Sequence, residues 1–159
     1  MAKLDALINK INTLSGVKII ASKFDDKQRA WVLIKESFDA ATGTLYVIDL
    51  FGNEIASISG ISELDTYSKS VAIGDYCGIM CGTTKSPKFK VYKLNGSNLT
   101  LYKTVTGFGS YPSYYYFAYI SSGEYHATFS STSSKETTVD VNMTTGNYVR
   151  IEGPQRKVI

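Results

Sequence analysis

The sequence predicts an all-β domain preceded by one short helix. Aromatic residues make up 13% of the 159 residues, twelve residues are tyrosine, and only three are proline. Aromatic and β-branched residues favour strands, whereas proline interrupts them. From residue 17 onward, short runs of strand-forming residues alternate with turn residues. In residues 1–16, by contrast, the apolar residues recur with a helical period. We therefore expect a helix over 1–16 and a single β domain over 17–159.

The first segment, MAKLDALINKINTLSG, is predicted to form an amphipathic helix. Its apolar residues recur at steps of three and four and so share one stripe, made of Leu4, Leu7, Ile8, Ile11 and Leu14. Gly16 is placed to end the helix. Because a helix this short is marginal alone, its stripe must be buried. Two interpretations remain open: the stripe packs on its own domain, or it docks on another chain.

Three segments of the β region resemble one another. They are TLYVIDLFGNEIASIS, KFKVYKLNGSNLTLYKTV and TTVDVNMTTGNYVRIEG, with turn glycines at Gly52, Gly96 and Gly146. Two more strand-like runs precede each hairpin: VKIIASKF and RAWVLIKESF, then SKSVAIGDY and CGIMCGTT, then SYYYFAYIS and EYHATFSS. The sequence therefore predicts three units of about four antiparallel strands. Within the second hairpin, Asn95-Gly96 predicts a tight two-residue turn.

In period and hairpin placement, these units resemble the blades of a β-propeller. The resemblance covers about residues 17–153 and implies a partial propeller, because three blades do not close a ring. Three arrangements are open: two chains completing a six-bladed ring, a sandwich or open barrel, or a chain embedded in a larger assembly. Open sheet edges invite pairing with another chain, so the first and third arrangements predict a protein that is not a monomer.

The charge and the apolar pattern disfavour several classes of protein. The net charge is +3 and only three residues are arginine, which is too little positive charge to indicate nucleic-acid binding. No segment approaches eighteen consecutive apolar residues, so we expect no membrane span. Asp5, Asn9 and Lys10 interrupt the N-terminal segment before it could serve as a signal peptide. We expect the chain to assemble in the cytoplasm.

No motif indicates an enzyme, a cofactor or a metal site. His126 is the single histidine and has no G-x-S-x-G motif or phosphate loop beside it, so we interpret it as structural or half-exposed. Cys77 and Cys81 are not a C-x-x-C pair. On a strand they share a face about 13 Å apart, beyond disulfide reach, and we expect free thiols in the core. The carboxylates are scattered, and no catalytic pair stands out.

Two strand-like segments carry candidate interaction residues. Both faces of SYYYFAYIS are aromatic, and the candidates there are Tyr114, Tyr115, Tyr116 and Tyr119. Tyrosine joins a large apolar ring to a polar hydroxyl, so three interpretations are open: core packing, a subunit interface or a platform for sugars. In KSPKFKVYK, Lys88 and Lys90 share one face of a strand. They form either an anion-binding ribbon or a guard against pairing at a sheet edge.

These observations favour a non-catalytic structural protein that binds copies of itself or neighbouring subunits. The candidate contacts are Leu4, Leu7, Ile8 and Ile11 of the helix together with the tyrosines and lysines just named. In composition the chain is similar to components of bacteriophages and other virus particles, which implies a virion protein. The alternative is a lectin-like carbohydrate-binding or adhesion module. Repeated sugar sites would place equivalent aromatic residues in each unit, and RAWVLIKES, CGIMCGTT and EYHATFSS do not match in this respect.

Overall fold

The computed structural model describes residues 2–18, 23–65, 69–83, 85–109, 115–130 and 137–152, which hold one helix, α1 (Ala2–Thr13), and thirteen strands. The strands are β1 (Val17–Lys18), β2 (Lys23–Phe24), β3 (Ala30–Lys35), β4 (Gly43–Ile48), β5 (Glu54–Ile61), β6 (Ser70–Ile73), β7 (Tyr76–Gly82), β8 (Pro87–Asn95), β9 (Asn98–Val105), β10 (Tyr115–Ser121), β11 (Glu124–Ser130), β12 (Thr137–Asn142) and β13 (Tyr148–Glu152). The predicted all-β fold is confirmed, and a strand lies in every run that the sequence marked as strand-like.

The strands form three antiparallel sheets that follow one another along the chain. Sheet 1 has the order β1-β3-β4-β5, with β2 pairing with β3 as well. Sheet 2 has the order β6-β7-β8-β9, and sheet 3 has the order β10-β11-β12-β13. The prediction of three units of about four antiparallel strands is confirmed. No backbone ladder joins one sheet to another among the described strands, so each sheet keeps open edges.

Three apolar clusters show that the helix and the sheets are stacked face to face. One cluster lies between α1 and sheet 1, the next between sheets 1 and 2, and the third between sheets 2 and 3. Representative buried members are Leu7 and Val32 in the first, Trp31 and Ile79 in the second, and Phe89 and Phe129 in the third. Side chains of one strand alternate between faces, so sheets 1 and 2 are each covered on both faces.

Edge strands of successive sheets also lie close together. β2 contacts β6, and β6 contacts β10. On the other side of the stack, β5 contacts β9. The sheets are therefore stacked with corresponding edges aligned.

The helix α1 covers the outer face of sheet 1. Leu7 is buried there, Ile11 and Leu14 pack against the same cluster, and Ile8 is 50% exposed. The stripe thus packs on its own domain in this structure, the first of the two interpretations. Gly16 follows the helix with a φ of +107°, a backbone conformation that favours glycine. No helix in the described part of the chain has the length and apolar character to cross a bilayer.

One predicted turn is shifted by a residue. Asn95 pairs with Asn98, so the two-residue loop is Gly96-Ser97 rather than Asn95-Gly96. Of the two loop residues only Gly96 has a positive φ, +64°, as a type II′ turn requires, whereas the predicted turn needs positive φ at both positions. Two consecutive residues with positive φ occur instead in the β10–β11 loop, where Ser122 has a φ of 52° and Gly123 a φ of 77°. That pair fits a type I′ turn.

Candidate interaction face

The outer face of sheet 3 is the one sheet face that no other layer covers within the described residues. Residues paired across antiparallel strands share a face, so the register of sheet 3 defines this surface. We call it the open face. Its residues are Phe117, Tyr119, Ser121, Glu124, His126, Thr128, Ser130, Thr138, Asp140, Asn142, Val149 and Ile151. Ser130 is buried, and the others are partly or fully exposed.

The open face is apolar on its edge strands and polar on its middle strands. Phe117 on β10 is 48% exposed, and Val149 and Ile151 on β13 are 61% and 47% exposed. The middle strands β11 and β12 present histidine, threonine, aspartate and asparagine instead. The outer face of sheet 1 differs, because its middle strand presents Val32 and Ile34 and is covered by α1. The open face therefore has an apolar rim and a polar centre.

Three hydrogen-bonded side chains lie near the centre of the open face. Asp140 Oδ1 lies 2.7 Å from His126 Nδ1, and the hydroxyl of Tyr119 donates to Asp140 Oδ2. The rings of Tyr119 and His126 stack, with centroids 4.8 Å apart and planes 19° apart. The hydrogen bond to Asp140, with some burial, raises the pKa of Tyr119, because the carboxylate favours the protonated phenol. Tyr119 therefore stays a donor at neutral pH and helps to fix the position of Asp140.

A cavity of about 440 Å³ opens beside these three side chains. Glu124 lines the cavity, and its Oε1 accepts a hydrogen bond from Asn142 Nδ2 at 3.0 Å. Asn142 Oδ1 accepts the backbone N–H groups of residues 144–145, both at 3.0 Å, so the β12–β13 turn is held against the cavity. Val149 and Ile151 supply its apolar lining. The cavity thus combines acceptor groups with an apolar wall.

The cysteines and the histidine lie in separate parts of the stack. Cys77 and Cys81 are free thiols buried between sheets 1 and 2, as predicted. Burial raises the pKa of both, that of Cys81 to about 12. In the described part of the chain, no serine or cysteine side chain bonds to His126, and no three or more His, Cys, Asp or Glu side chains are grouped to hold a metal ion.

The predicted interaction tyrosines fall in different environments. Tyr116 faces inward, where its ring stacks on Phe129 with centroids 5.3 Å apart. Tyr119 lies on the open face. Tyr115 belongs to β10 by its backbone, and its side chain lies outside the described residues, as do Tyr114 and the side chain of Leu4. The two faces of β10 are therefore both aromatic, but they have different surroundings.

Lys88 and Lys90 lie on an internal strand and not on a sheet edge. β8 pairs with both β7 and β9, so the prediction that these lysines guard an edge is wrong. Their ammonium groups lie 2.7 and 3.3 Å from the carboxylate of Glu63, and Lys90 also donates to the backbone oxygen of Ser62 at 2.9 Å. Both lysines therefore hold the segment between sheets 1 and 2 against sheet 2.

The sequence reasoning missed several residues of the open face. Asp140 was not singled out, because it faces His126 only once the register of β11 and β12 is known. Glu124 lies two residues from His126 on β11 and so shares its face by alternation alone. One signal was present in YVRIE, where Val149 and Ile151 alternate with charged residues. This alternation marks a strand with one apolar face, although it does not say whether that face is covered.

Comparisons with known proteins do not indicate a function for this chain. No protein-family model, no curated protein and no solved structure matches this chain. The open face, with its apolar rim and its cavity, is the structural feature that bears on function.

Proposed function

We propose that this protein is a non-catalytic assembly protein that binds a copy of itself or a neighbouring subunit through the open face. The observation that carries the proposal is the contrast between this face and the other described sheet faces, each of which a further layer covers. The open face instead exposes Phe117 at its β10 edge and Val149 with Ile151 at its β13 edge. Exposed apolar side chains on an uncovered sheet face favour a protein–protein contact there.

The apolar rim supplies only part of the free energy that docking needs. Complete burial of a large apolar side chain contributes about 1.5–3 kcal/mol. Three side chains that are already half-buried would therefore contribute roughly 3 kcal/mol. A micromolar complex needs about 8 kcal/mol. The polar centre must therefore also make favourable contacts with the partner.

The proposal extends to a virus particle, and to a bacteriophage in particular. Its support is the composition of the chain, a small all-β domain rich in tyrosine, serine, threonine and glycine. The contacts of the edge strands β2, β6 and β10 support a related proposal, that the sheets are blades of a partial propeller. In that arrangement the open face is where a further layer would attach.

The lectin-like alternative has less support. Sugar platforms need an exposed aromatic ring. Trp31 is fully buried and donates its indole N–H to Asp25 at 2.8 Å. Near the cavity, the hydroxyl of Tyr148 donates to the backbone oxygen of Gly107 at 2.8 Å, and its ring packs edge-on against Phe108. Trp31 is therefore closed to a sugar, and Tyr148, which is 39% exposed, is held within the domain by its hydroxyl and its ring.

Association in solution tests the docking proposal. The mass of the 17.5 kDa chain would be measured by light scattering, alone and after co-expression with the products of adjacent genes. We expect a complex that Phe117→Ser weakens. Phe51→Ser is the matched control, because Phe51 is 81% exposed in a turn of sheet 1. A chain that stays monomeric with every candidate, or a complex indifferent to Phe117→Ser, would refute docking through the open face.

The assignment to a virus particle has a separate test. A virion protein is expected to be encoded among capsid and tail genes, so the DNA on both sides of its gene would be sequenced. Flanking genes that all encode metabolic enzymes would contradict this part of the proposal and leave the docking proposal in place.

A further inference from the structure

We infer that a second cavity, at the open edge of β6, binds an extended peptide strand, and that residues 153–159 of a second copy of this chain supply that strand. This contact rests on the proposed function, because it takes the chain to bind copies of itself. Three observations support it: a buried hydroxyl without a partner, free backbone groups on strand edges, and a carboxylate that the segment can pair with.

The cavity lies where edge strands of the three sheets meet. We call it the edge cavity, and its volume is about 350 Å³. Its described lining consists of residues 24–26, residues 70–73 of β6 and residues 116–118 of β10. Val71 and Ile73 make part of the lining apolar, and Phe24 is 55% exposed. The edge cavity therefore offers apolar surface beside three strand edges.

Ser70 is a buried polar residue of this lining that lacks a partner. It is 1% exposed, and its hydroxyl has no hydrogen-bond partner in the described part of the chain. Native proteins rarely leave a buried polar group unpaired, because its desolvation is then not compensated. A peptide group could donate to the hydroxyl or accept from it, whereas a purely apolar ligand could do neither. The unpaired hydroxyl therefore indicates a polar ligand at this edge.

The edge of β6 also carries free backbone groups. The N–H of Met80 on β7 donates to the backbone oxygen of Lys69, and bonded pairs alternate along an antiparallel ladder. Ser70 and Ala72 therefore direct their N–H and C=O groups away from β7, toward the open edge. The same alternation in sheet 3 leaves the backbone groups of Ala118 on the open edge of β10. An extended peptide has donors and acceptors that match such an edge.

The segment 153–159, GPQRKVI, has the charge that the edge cavity requires. Asp26 lines the cavity and is exposed, and its Oδ1 accepts the backbone N–H of Gly74 at 2.6 Å. Among the described side chains, no lysine or arginine forms an ion pair with Asp26. Arg156 and Lys157 of the segment would supply that positive charge.

Antiparallel pairing with β6 brings each part of the segment to matching surroundings. Asp26 bonds to the residue that follows β6, whereas Ser70 begins β6. A strand antiparallel to β6 with Arg156 beside Asp26 would therefore run toward Ser70 with Val158 and Ile159. Both are β-branched residues, which favour strands, and they would lie along the apolar part of the lining.

The segment is supplied by a second copy because the same chain cannot reach this position. Residues 153–159 lie outside the described residues and follow Glu152 on β13. β13 and β10 are opposite edges of sheet 3, three strand spacings or about 14 Å apart. At about 3.3 Å per residue, crossing sheet 3 uses residues 153–156. Arg156 of the same chain would then lie near β10, two layers short of Asp26 on sheet 1.

A synthetic peptide tests the site directly. Acetylated and amidated GPQRKVI would be titrated into the full chain by calorimetry, at a concentration where light scattering shows a monomer. We expect saturable binding, and binding at least about tenfold weaker for the same residues in scrambled order, equivalent to about 1.4 kcal/mol. Light scattering should also show a mass that rises with the concentration of the chain, and excess peptide should reverse this rise.

Peptides with a methylated backbone test the strand pairing. One would carry N-methyl groups at the positions of Arg156 and Val158, and the other at those of Lys157 and Ile159. Every second N–H of a strand faces its neighbour, so one peptide should bind at least about tenfold more weakly than the other. Equal affinity of the two would contradict pairing with β6.

Ser70→Ala tests the buried hydroxyl. It should weaken peptide binding about fivefold without lowering the stability of the chain to denaturant, because the hydroxyl has no described partner within the domain. A serine with a purely structural role would show the reverse, a loss of stability with unchanged affinity. Ser57→Ala, at an exposed position of β5, is the matched control and should change neither quantity.

Each other outcome has a definite meaning. Absence of saturable binding, equal binding of the scrambled peptide, or unchanged affinity in Ser70→Ala would overturn the peptide site. If GPQRKVI binds but does not reverse self-association, or the chain does not self-associate, the strand comes from another protein and the assignment to a second copy is overturned.

Val149→Ser separates this contact from docking through the open face. Phe117 lines the edge cavity and also belongs to the open face, whereas Val149 lies at the other edge of the open face. If the peptide does not bind while Val149→Ser weakens assembly, only the peptide site fails. If the peptide binds but Val149→Ser has no effect on assembly, docking through the open face fails instead.

Discussion

The indole N–H of Trp31 donates to the carboxylate of Asp25 at 2.8 Å, and the side chain of Asp25 is fully buried. The same carboxylate accepts from Arg29 Nε at 2.7 Å and from the backbone N–H of Lys27 at 2.8 Å. Arg29 in turn contacts the carboxylate of Asp75 at 3.0 Å. One charged network therefore fastens the β2–β3 turn of sheet 1 to the β6–β7 turn of sheet 2.

Asp25→Ala should be strongly destabilising. It would leave the guanidinium of Arg29 and the indole N–H of Trp31 without their shared partner, and removing one member of a buried ion pair costs about 3–5 kcal/mol. Denaturant unfolding would measure the free energy of unfolding. Asp39→Ala, at an exposed position, should change it by less than about 0.5 kcal/mol. A loss of less than about 1 kcal/mol in Asp25→Ala would show that the network contributes little.

Gly78→Ala should introduce a steric clash within sheet 2, on the face that packs against sheet 3. Gly78 lies on β7, and a Cβ there would overlap the ring of Phe89. Overpacking of this kind typically costs about 1–3 kcal/mol. Adding Phe89→Leu should recover part of the loss, so the double variant should lose less stability than the sum of the single variants. Gly60→Ala is the control for the rescue. Its Cβ would enter open space, so any loss there would come from its φ of +73°, and Phe89→Leu should not recover it.

Glu63 should make part of the stability dependent on pH. Hydrogen bonds from Lys88 and then Lys90 hold the pKa of Glu63 below its ordinary value. A carboxyl group whose pKa is lowered by folding stabilises the protein at pH values above its pKa in the unfolded chain. This stabilisation is lost as the pH falls through its pKa in the folded protein. Thermal melts should therefore show Glu63→Gln less stable than the wild type near neutral pH, with the difference shrinking below about pH 4. A difference that stays constant with pH would contradict this contribution.

The two thiols should be unreactive until the protein opens. Burial raises the pKa of Cys77 and Cys81, and thiolate is the reactive form. An aromatic disulfide reagent should therefore label both cysteines only at the rate at which the structure opens, and denaturant below the unfolding midpoint should accelerate labelling. Ser57→Cys, at an exposed position of β5, should react at once. Equally fast labelling of Cys77 or Cys81 under native conditions would show that the thiols are accessible.

The strands were predictable because their signals are local, whereas the open face depends on contacts between distant residues. Alternation in SYYYFAYIS correctly separated the inward Tyr116 from the outward Phe117 and Tyr119. By contrast, the sequence KFDDKQRA reads as a charged turn, and nothing in it shows that Asp25 is buried. The donors to Asp25 are backbone N–H groups, the guanidinium of Arg29 and an indole six residues away. Burial of this kind depends on how sheets stack, which short patterns do not specify.

The layered order of helix and sheets makes the two ends of this chain unequal. Along the stacking direction, α1 covers the side of Leu7, while Val149 on the opposite side is exposed. If the open face docks as we propose, the chain would accept one neighbour along this direction, because its other end is already covered.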